Sequence, residues 1–499
     1  MTATLETLIA RPDRLFIEGQ WVEPDEPAHF EVVMPATEEV FGIVAAAGAA
    51  DIAKAAAAAR TAFDIGPWPR MSHADRAAYL RAIASRIRER AADFATIWTS
   101  EMGVVHSFAQ ALIPGGADAF EYYAGLAETF PFEERHVPQR GKVGVLVREP
   151  VGVVAAIVPW NFPMMLIAWK VAPALLAGCT VVLKASPEAP GTAYLFAEIA
   201  EEVGLPPGVL NVVTADREVS ELLVRDPSID KVTFTGSTAA GRRIASLCGE
   251  RIARYTLELG GKSAALILDD CDLGQAASTI AAGARLMTGQ VCSSLTRMIV
   301  TRERHDAFVE ALASAFAAVR VGDPFDGATG MGPLAMARQR ERVESYIATG
   351  LAEGAKLATG GNRPAHCPRG FFVEPTVFAG VANDMTIARE EIFGPVLSVI
   401  PARDEDDALH IANDTIYGLN AAVFTNDPDR AYRAARAIRS GTVGQNGSKT
   451  DFSIAFGGFK QSGVGREGGT EGLLPFLETK TIILDGEPSH LRSDGTSAG

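Results

Sequence analysis

At 499 residues the chain is longer than one hydrophobic core ordinarily supports, which predicts two or three domains. Hydrophobic residues make up 47% and charged residues 21%, the balance of a soluble globular protein, and no apolar run approaches the ~20 residues of a membrane helix. A net charge of −15 argues against nucleic acid as a partner, because a phosphate backbone needs a basic face.

Five cysteines, Cys179, Cys248, Cys271, Cys292 and Cys367, form no CxxC pair, and their odd number offers no disulfide framework. The eight histidines are scattered without HExxH or HxxxH spacing, so no protein-bound metal is expected. Residues 1–14 are polar and lack the apolar core of a signal peptide. The expected location is the cytoplasm.

In chain order, 15–17 and 20–22 read as short strands. Alanine-rich helices follow over 51–63, 73–90 and 107–128, the second with Ala77, Leu80, Ile83 and Ile87 on one face. Pro131 and Pro138 break the pattern, and 142–147 reads as a strand. From Val151 onward apolar strands at 153–158, 180–183, 209–213, 231–234 and 264–268 alternate with helices at 164–176, 192–203, 217–224 and 239–247. Such alternation is the signature of a parallel sheet covered on both faces, and so of a Rossmann-type nucleotide-binding architecture. The usual GxGxxG is absent. Phe234-Thr235-Gly236-Ser237-Thr238 stands in its place, and reads either as an anion site at a helix start or as an ordinary N-cap. A second α/β region follows Cys292, with a strand at 297–300, helices at 305–319, 340–350 and 404–413, and apolar stretches at 371–376 and 390–399. The Ser- and Gly-rich tail, 488–499, is expected to fray.

Four short stretches carry chemistry. Pro159-Trp160-Asn161-Phe162-Pro163 joins a strand to a helix, so Asn161 falls at the sheet edge where α/β folds place ligands. Its amide suits an oxyanion, although Asn is also a common turn residue. Leu257-Glu258-Leu259-Gly260-Gly261-Lys262 sets a carboxylate among apolar residues, either as a desolvated general base or as an ordinary paired glutamate. Gly289-Gln290-Val291-Cys292-Ser293-Ser294 gives a thiol small neighbours, which suits a nucleophile and equally an inert buried cysteine. Glu390-Glu391-Ile392-Phe393-Gly394-Pro395 brings two carboxylates and an aromatic into a turn.

Taken together and in this order, with Phe456-Gly457-Gly458-Phe459-Lys460 and Gly465-Arg466-Glu467, these motifs resemble the NAD(P)-dependent aldehyde dehydrogenase superfamily over residues 15–484. The resemblance implies a Rossmann-type cofactor domain (1–128 and 149–258), a second α/β catalytic domain (259–469) and a small β oligomerisation element (129–148 and 470–487). It implies Cys292 as the nucleophile that forms a thiohemiacetal and then a thioester. Asn161 and the Cys292 N–H would hold the oxyanion, and Glu258 would activate the hydrolytic water. Lys170 and Glu478 match positions of a proton relay, and read equally as a structural ion pair or as solvated surface charges. Trp160, Lys184, Gly236, Ser237, Glu391 and Phe393 match cofactor contacts. Phe162, Met165, Trp169 and Phe456 match a substrate tunnel whose apolar wall favours aliphatic or aromatic aldehydes, although Met165 and Trp169 read equally as ordinary core. NAD is the expected cofactor. Pro187, followed by Glu188, stands where many NAD-preferring relatives have Glu, which leaves NADP open. A homo-oligomer, dimer or tetramer, is implied, with the strands at 142–147 and 480–484 as candidates for pairing between subunits. A CoA-acylating enzyme is the alternative, against which Glu258 argues because CoA would make a water-activating base superfluous.

Overall fold

The structure, a computed structural model, describes residues 4–489, so the tail expected to fray lies almost wholly outside it. Two large sheets organise the chain. In the first, Arg254–Glu258, Lys231–Thr235, Val153–Ile157, Thr180–Ala185 and Leu210–Thr214 run parallel in that spatial order. Leu15–Ile17 and Gln20–Val22 close one edge antiparallel, and the two-residue strand Gly463–Val464 closes the other. Every residue of Val153–Ile157, Thr180–Ala185 and Leu210–Thr214 is buried, the physical counterpart of their unbroken apolar runs.

The helix Pro163–Ala177 lies against this sheet and is buried at every position. Pro163 starts it, where a missing N–H costs nothing, and Gly178 ends it at φ 100°, a conformation open to glycine. Strand order reverses at Val153–Ile157, because the next two strands in sequence lie to one side and Lys231–Thr235 and Arg254–Glu258 to the other. The crevice at such a switch point opens beyond the strand C-termini. The loops that reach it are Val158–Phe162 and Gly236–Ser237.

In the second sheet Thr376–Ala379, Val396–Ala402, Leu295–Thr301, Ser263–Ile267, Asn420–Phe424 and Thr442–Gln445 are parallel, with Lys356–Thr359 antiparallel at one edge. A third sheet pairs Leu477–Leu484 with Val143–Pro150 and that strand with Glu133–His136. The strands at 142–147 and 480–484 thus pair with each other within one chain.

Several elements differ from the sequence reading. The antiparallel pair His29–Met34 and Glu39–Ala45 and the helix Ala91–Met102 had no distinct signal. Arg254–Glu258 alternates polar and apolar residues, and Asn420–Phe424 is alanine-rich, so neither reads as a buried strand until its neighbours are in place. Gly463–Val464, inside the span assigned to the second domain, pairs with Arg254–Glu258 of the first sheet and stitches the two together. No helix among the described residues is long and apolar enough to cross a membrane.

Candidate active site

The loop carrying Cys292 is held in an uncommon conformation. Met287, Thr288 and Gly289 all have positive φ (48°, 56° and 71°), a run that L-residues adopt only when surrounding contacts compel it. Those contacts are specific. Thr288 Oγ1 donates to the Gly332 carbonyl at 2.9 Å, Gln290 Nε2 donates to the Met287 carbonyl at 2.9 Å, and Gln290 Oε1 accepts from the Ala335 N–H at 3.1 Å. Asn420 Nδ2 donates to the Ser293 carbonyl at 2.8 Å. The glycines around the loop are there for space: a Cβ on Gly261 would come within 2.4 Å of the Cys292 carbonyl, and one on Gly289 within 2.4 Å of Gly394. Cys292 itself is half-buried and lines the cavity described below.

Asn161 follows the strand Val153–Ile157, and its Nδ2 donates to the Gln290 carbonyl at 3.0 Å, which orients the amide beside the thiol and leaves its second N–H for a ligand. Trp98 Nε1 donates to the Asn161 carbonyl at 3.0 Å and holds the turn. Glu258 ends Arg254–Glu258, the next strand but one in the same sheet, and neither of its buried carboxylate oxygens has a hydrogen-bond partner. Burial, reinforced by the nearby Glu467 carboxylate, raises its proton affinity well above that of an ordinary carboxylate, while Lys170 and Arg466 pull the other way. Burial, then the Glu391 and Glu258 carboxylates, push the Cys292 thiol up to about 12. Nucleophile and base candidates therefore both hold protons tightly, and transfer from sulfur to carboxylate is less uphill than for an exposed glutamate.

These groups share a cavity of about 460 Å³. Cys292, Asn161 and Glu258 line it, together with Trp160, Gly236, Ser237, Glu391 and Phe393 and the aromatic side chains Phe162, Trp169 and Phe456. Trp160 meets Phe393 edge-on with ring centroids 5.5 Å apart. Glu391 accepts the Gly261 N–H at 3.0 Å, and burial raises its pKa to about 7. Ser237 caps the helix Thr238–Glu250 by accepting the Ala240 N–H, so the ordinary N-cap and the open helix N-terminus coexist at one residue. Lys184 is buried nearby on the first sheet, within electrostatic reach of Glu188 and Asp216, and is not part of the cavity wall. Gly236 leaves no room for a side chain, since a Cβ there would lie 2.5 Å from the Phe234 ring. A side-chain-free approach to a helix N-terminus, a buried cation and a carboxylate acceptor make a donor set that fits a dinucleotide.

Two sequence-based assignments need correction. Glu478 lies on Leu477–Leu484 opposite Glu149, half-exposed, and pairs with Arg254 at 2.8 Å; pairing into the small sheet carries it away from Lys170. The partner of Lys170 is Glu467, in a fully buried ion pair, and Lys170 Nζ also donates to Thr235 Oγ1 at 2.6 Å. Met165 does not line the cavity but packs toward Gly115 of the helix His106–Thr129. Residues 162, 166 and 169 share the cavity-facing side at helical spacing, so Leu166 takes the place expected for Met165. Phe108, Leu112 and Phe452 complete the apolar wall without any motif to announce them, whereas Glu467 stood in a motif read for family likeness alone.

Comparison with known proteins agrees with this geometry. The sequence model described as the aldehyde dehydrogenase family matches residues 21–482. Geranial dehydrogenase of Castellaniella defragrans is 43% identical, covering 95% of this chain and 98% of the relative. Betaine aldehyde dehydrogenase of Beta vulgaris is 39% identical, covering 95% and 96%. Among solved structures, a Mycobacterium tuberculosis aldehyde dehydrogenase complexed with NAD+ superposes with a TM-score of 0.93 at 45% identity, covering 95% of this chain and 98% of that one. An aldehyde dehydrogenase C variant from Pseudomonas syringae, complexed with NAD+ and octanal, gives 0.92 at 41% identity, covering 96% and 98%. The chain belongs to the aldehyde dehydrogenase family, whose members oxidise aldehydes to carboxylic acids with NAD.

Proposed function

We propose that this enzyme oxidises aldehydes with apolar bodies, and that Cys292, Asn161 and Glu258 carry the chemistry. The observation that supports this is one cavity lined both by a thiol, an oriented amide and an unpaired buried carboxylate and by aromatic and aliphatic side chains. Glu258 takes the thiol proton as the Cys292 sulfur attacks the aldehyde carbon. The free Asn161 N–H and the Cys292 backbone N–H hold the oxygen of the resulting thiohemiacetal. Trp160, Gly236, Ser237, Lys184, Glu391 and Phe393 would hold NAD, which supplies the hydride acceptor. Glu258 then directs water onto the Cys292 thioester, and the acid leaves. Glu467, rather than Glu478, is the partner through which Lys170 receives protons from Glu258.

Two relatives, a geranial dehydrogenase and an enzyme bound to octanal, support an apolar substrate, whereas a betaine aldehyde dehydrogenase of similar identity points to a charged one; the apolar side chains lining the cavity favour the first. Burying a methylene stabilises a ligand by about 0.8 kcal/mol, or roughly fourfold in affinity, so KM should fall about fourfold per carbon along a straight-chain series until the cavity is filled. Initial rates with straight-chain, aromatic, betaine and ω-carboxylate aldehydes, each with NAD and NADP, test the assignment. The expected order places medium-chain and aromatic aldehydes at least about tenfold above the charged ones in kcat/KM; the reverse order overturns the apolar reading. We further infer a cytoplasmic homo-oligomer. Leu477–Leu484 and Glu133–His136 are the outer strands of their sheet among the described residues, which supports association, because a sheet edge invites strand pairing.

A further inference from the structure

The strand Asn420–Phe424 is buried at every position, and Asn420 is its one polar side chain. A polar group inside a fold is destabilising unless its hydrogen bonds are made, so the partners of Asn420 explain its presence. Asn420 is 3% exposed and lies behind the cavity, outside its lining. Its Nδ2 donates in two directions, to the Ser293 carbonyl and to Ser448 Oγ, each at 2.8 Å. Turning the amide over would set Oδ1 against the Ser293 carbonyl, acceptor against acceptor, so these bonds also fix its orientation.

Each bond reaches a different part of the site. Ser293 directly follows the nucleophile, in a turn that the Ser294 N–H closes on the Val291 carbonyl at 3.1 Å. Asn161 holds that turn on its entry side, through the Gln290 carbonyl, and Asn420 holds it on its exit side. Ser448 lies in the segment after Thr442–Gln445 that carries Thr450, Phe452 and Phe456 into the cavity lining. At its start the Asn446 amide pairs with the Thr425 N–H and carbonyl, at 3.0 and 3.1 Å, and at its far end Phe456 and Glu467 exchange backbone hydrogen bonds. Phe452 stacks on Trp169 and meets Phe456 with ring centroids 5.4 Å apart, so the three rings form one packed surface. A single buried amide thus joins the loop of the nucleophile to the segment that meets the body of the substrate.

We propose that Asn420 is a positioning residue that couples filling of this aromatic surface to placement of the Cys292 thiol. The inference rests on the reaction and the apolar substrate assigned above. An apolar chain packed against Phe452 and Phe456 holds their segment, and Ser448 with it, in one arrangement. Ser448 then fixes the Asn420 amide, and the amide fixes the Ser293 carbonyl beside the thiol. A short aldehyde leaves the aromatic surface unfilled, so the turn is less firmly held and the sulfur spends less time in reach of the aldehyde carbon. Binding energy from the unreactive part of the substrate is in this way used at the reacting atom. The rate of thiol attack, and not affinity alone, therefore rises with chain length.

Single-turnover NADH bursts with saturating propanal, hexanal and octanal, made with the full-length enzyme, test this. The wild-type burst rate is expected to rise about fivefold from propanal to octanal, the effect of one net hydrogen bond. Asn420→Ala and Ser448→Ala should hold the burst rate near the propanal value at every length, while KM still falls with chain length because the aromatic surface is intact. Ser448→Thr keeps the hydroxyl and should restore the rise. A wild-type rise in either alanine variant overturns the proposal, as does its absence in Ser448→Thr or in wild type itself. An equal fall at every length also overturns it, because that marks a structural role alone. Should Asn420→Ala fail to fold, the two Ser448 variants decide. Failure of the underlying assignment looks different: wild type would give no NADH burst with any of the three aldehydes.

Discussion

At the scale of single residues, the environment of Glu258 decides more than its identity. A glutamate with both oxygens unpaired and buried is unstable as an anion, and the structure supplies no hydrogen bond to offset this. Replacing it with Gln keeps the shape and removes the base. Glu258→Gln is expected to slow the NADH burst, because the Cys292 thiol loses its base, and to stall the steady state further, because the thioester then waits for unassisted water; full steady turnover would refute its role. The pH behaviour follows from the causes of the shift. Glu258 is protonated at acidic pH and gains its function as pH rises, so the thioester hydrolysis rate has a rising limb. Glu467 contributes to raising that limb, and its removal also leaves Lys170 as an unneutralised cation. Both effects favour the Glu258 anion. Glu467→Gln should therefore shift the limb to lower pH in stopped-flow measurements, and a shift upward would contradict the electrostatic account.

At the scale of elements, the helix Ala91–Met102 ends on another buried carboxylate. Glu101 Oε1 accepts the Gly191 N–H at 2.8 Å at the start of the helix Gly191–Glu202, and its Oε2 has no partner. Burial, partly opposed by that N–H, raises its pKa from 4.5 to about 8. Between those values the folded protein holds a proton that the unfolded chain releases, so the stability from this group is complete below about 4.5 and is lost as pH rises through about 8. Glu101→Gln stays neutral throughout and can keep the Gly191 bond. Denaturant melts should find the variant increasingly more stable than wild type between pH 5 and pH 8, and a constant difference would show that Glu101 is ionised in the fold. The same scale explains the two misplaced assignments. Met165 and Leu166 are neighbours in sequence, but a helix face selects the second. Glu467 follows the two-residue strand Gly463–Val464 and Glu478 lies within Leu477–Leu484, and only the pairing of these strands tells which glutamate reaches Lys170.

At the scale of the whole molecule, Leu477–Leu484 and Glu133–His136 are the outer strands of the small sheet among the described residues, and Ile483 is 57% exposed on the first of these. Such a surface suits a second copy of the chain. Ile483→Lys is expected to shift sedimentation toward monomer while leaving the secondary structure unchanged; a wild-type monomer, or an unaffected oligomer in the variant, would remove this strand from the interface.

The sequence by itself determined the alternation of buried strands and helices, the two α/β regions, and the short motifs carrying Asn161, Glu258, Cys292 and Glu391. Local periodicity and turn chemistry set the elements, and the motifs lie within one loop or strand end each. Tertiary structure alone decided which partner Lys170 has, which residue of 165 and 166 faces the cavity, and that Gly463–Val464 pairs with the strand that ends in Glu258. The physical reason is the same each time. Ion-pair partners, wall residues and strand register depend on contacts between segments tens to hundreds of residues apart, and no local pattern in the chain encodes the distance between them.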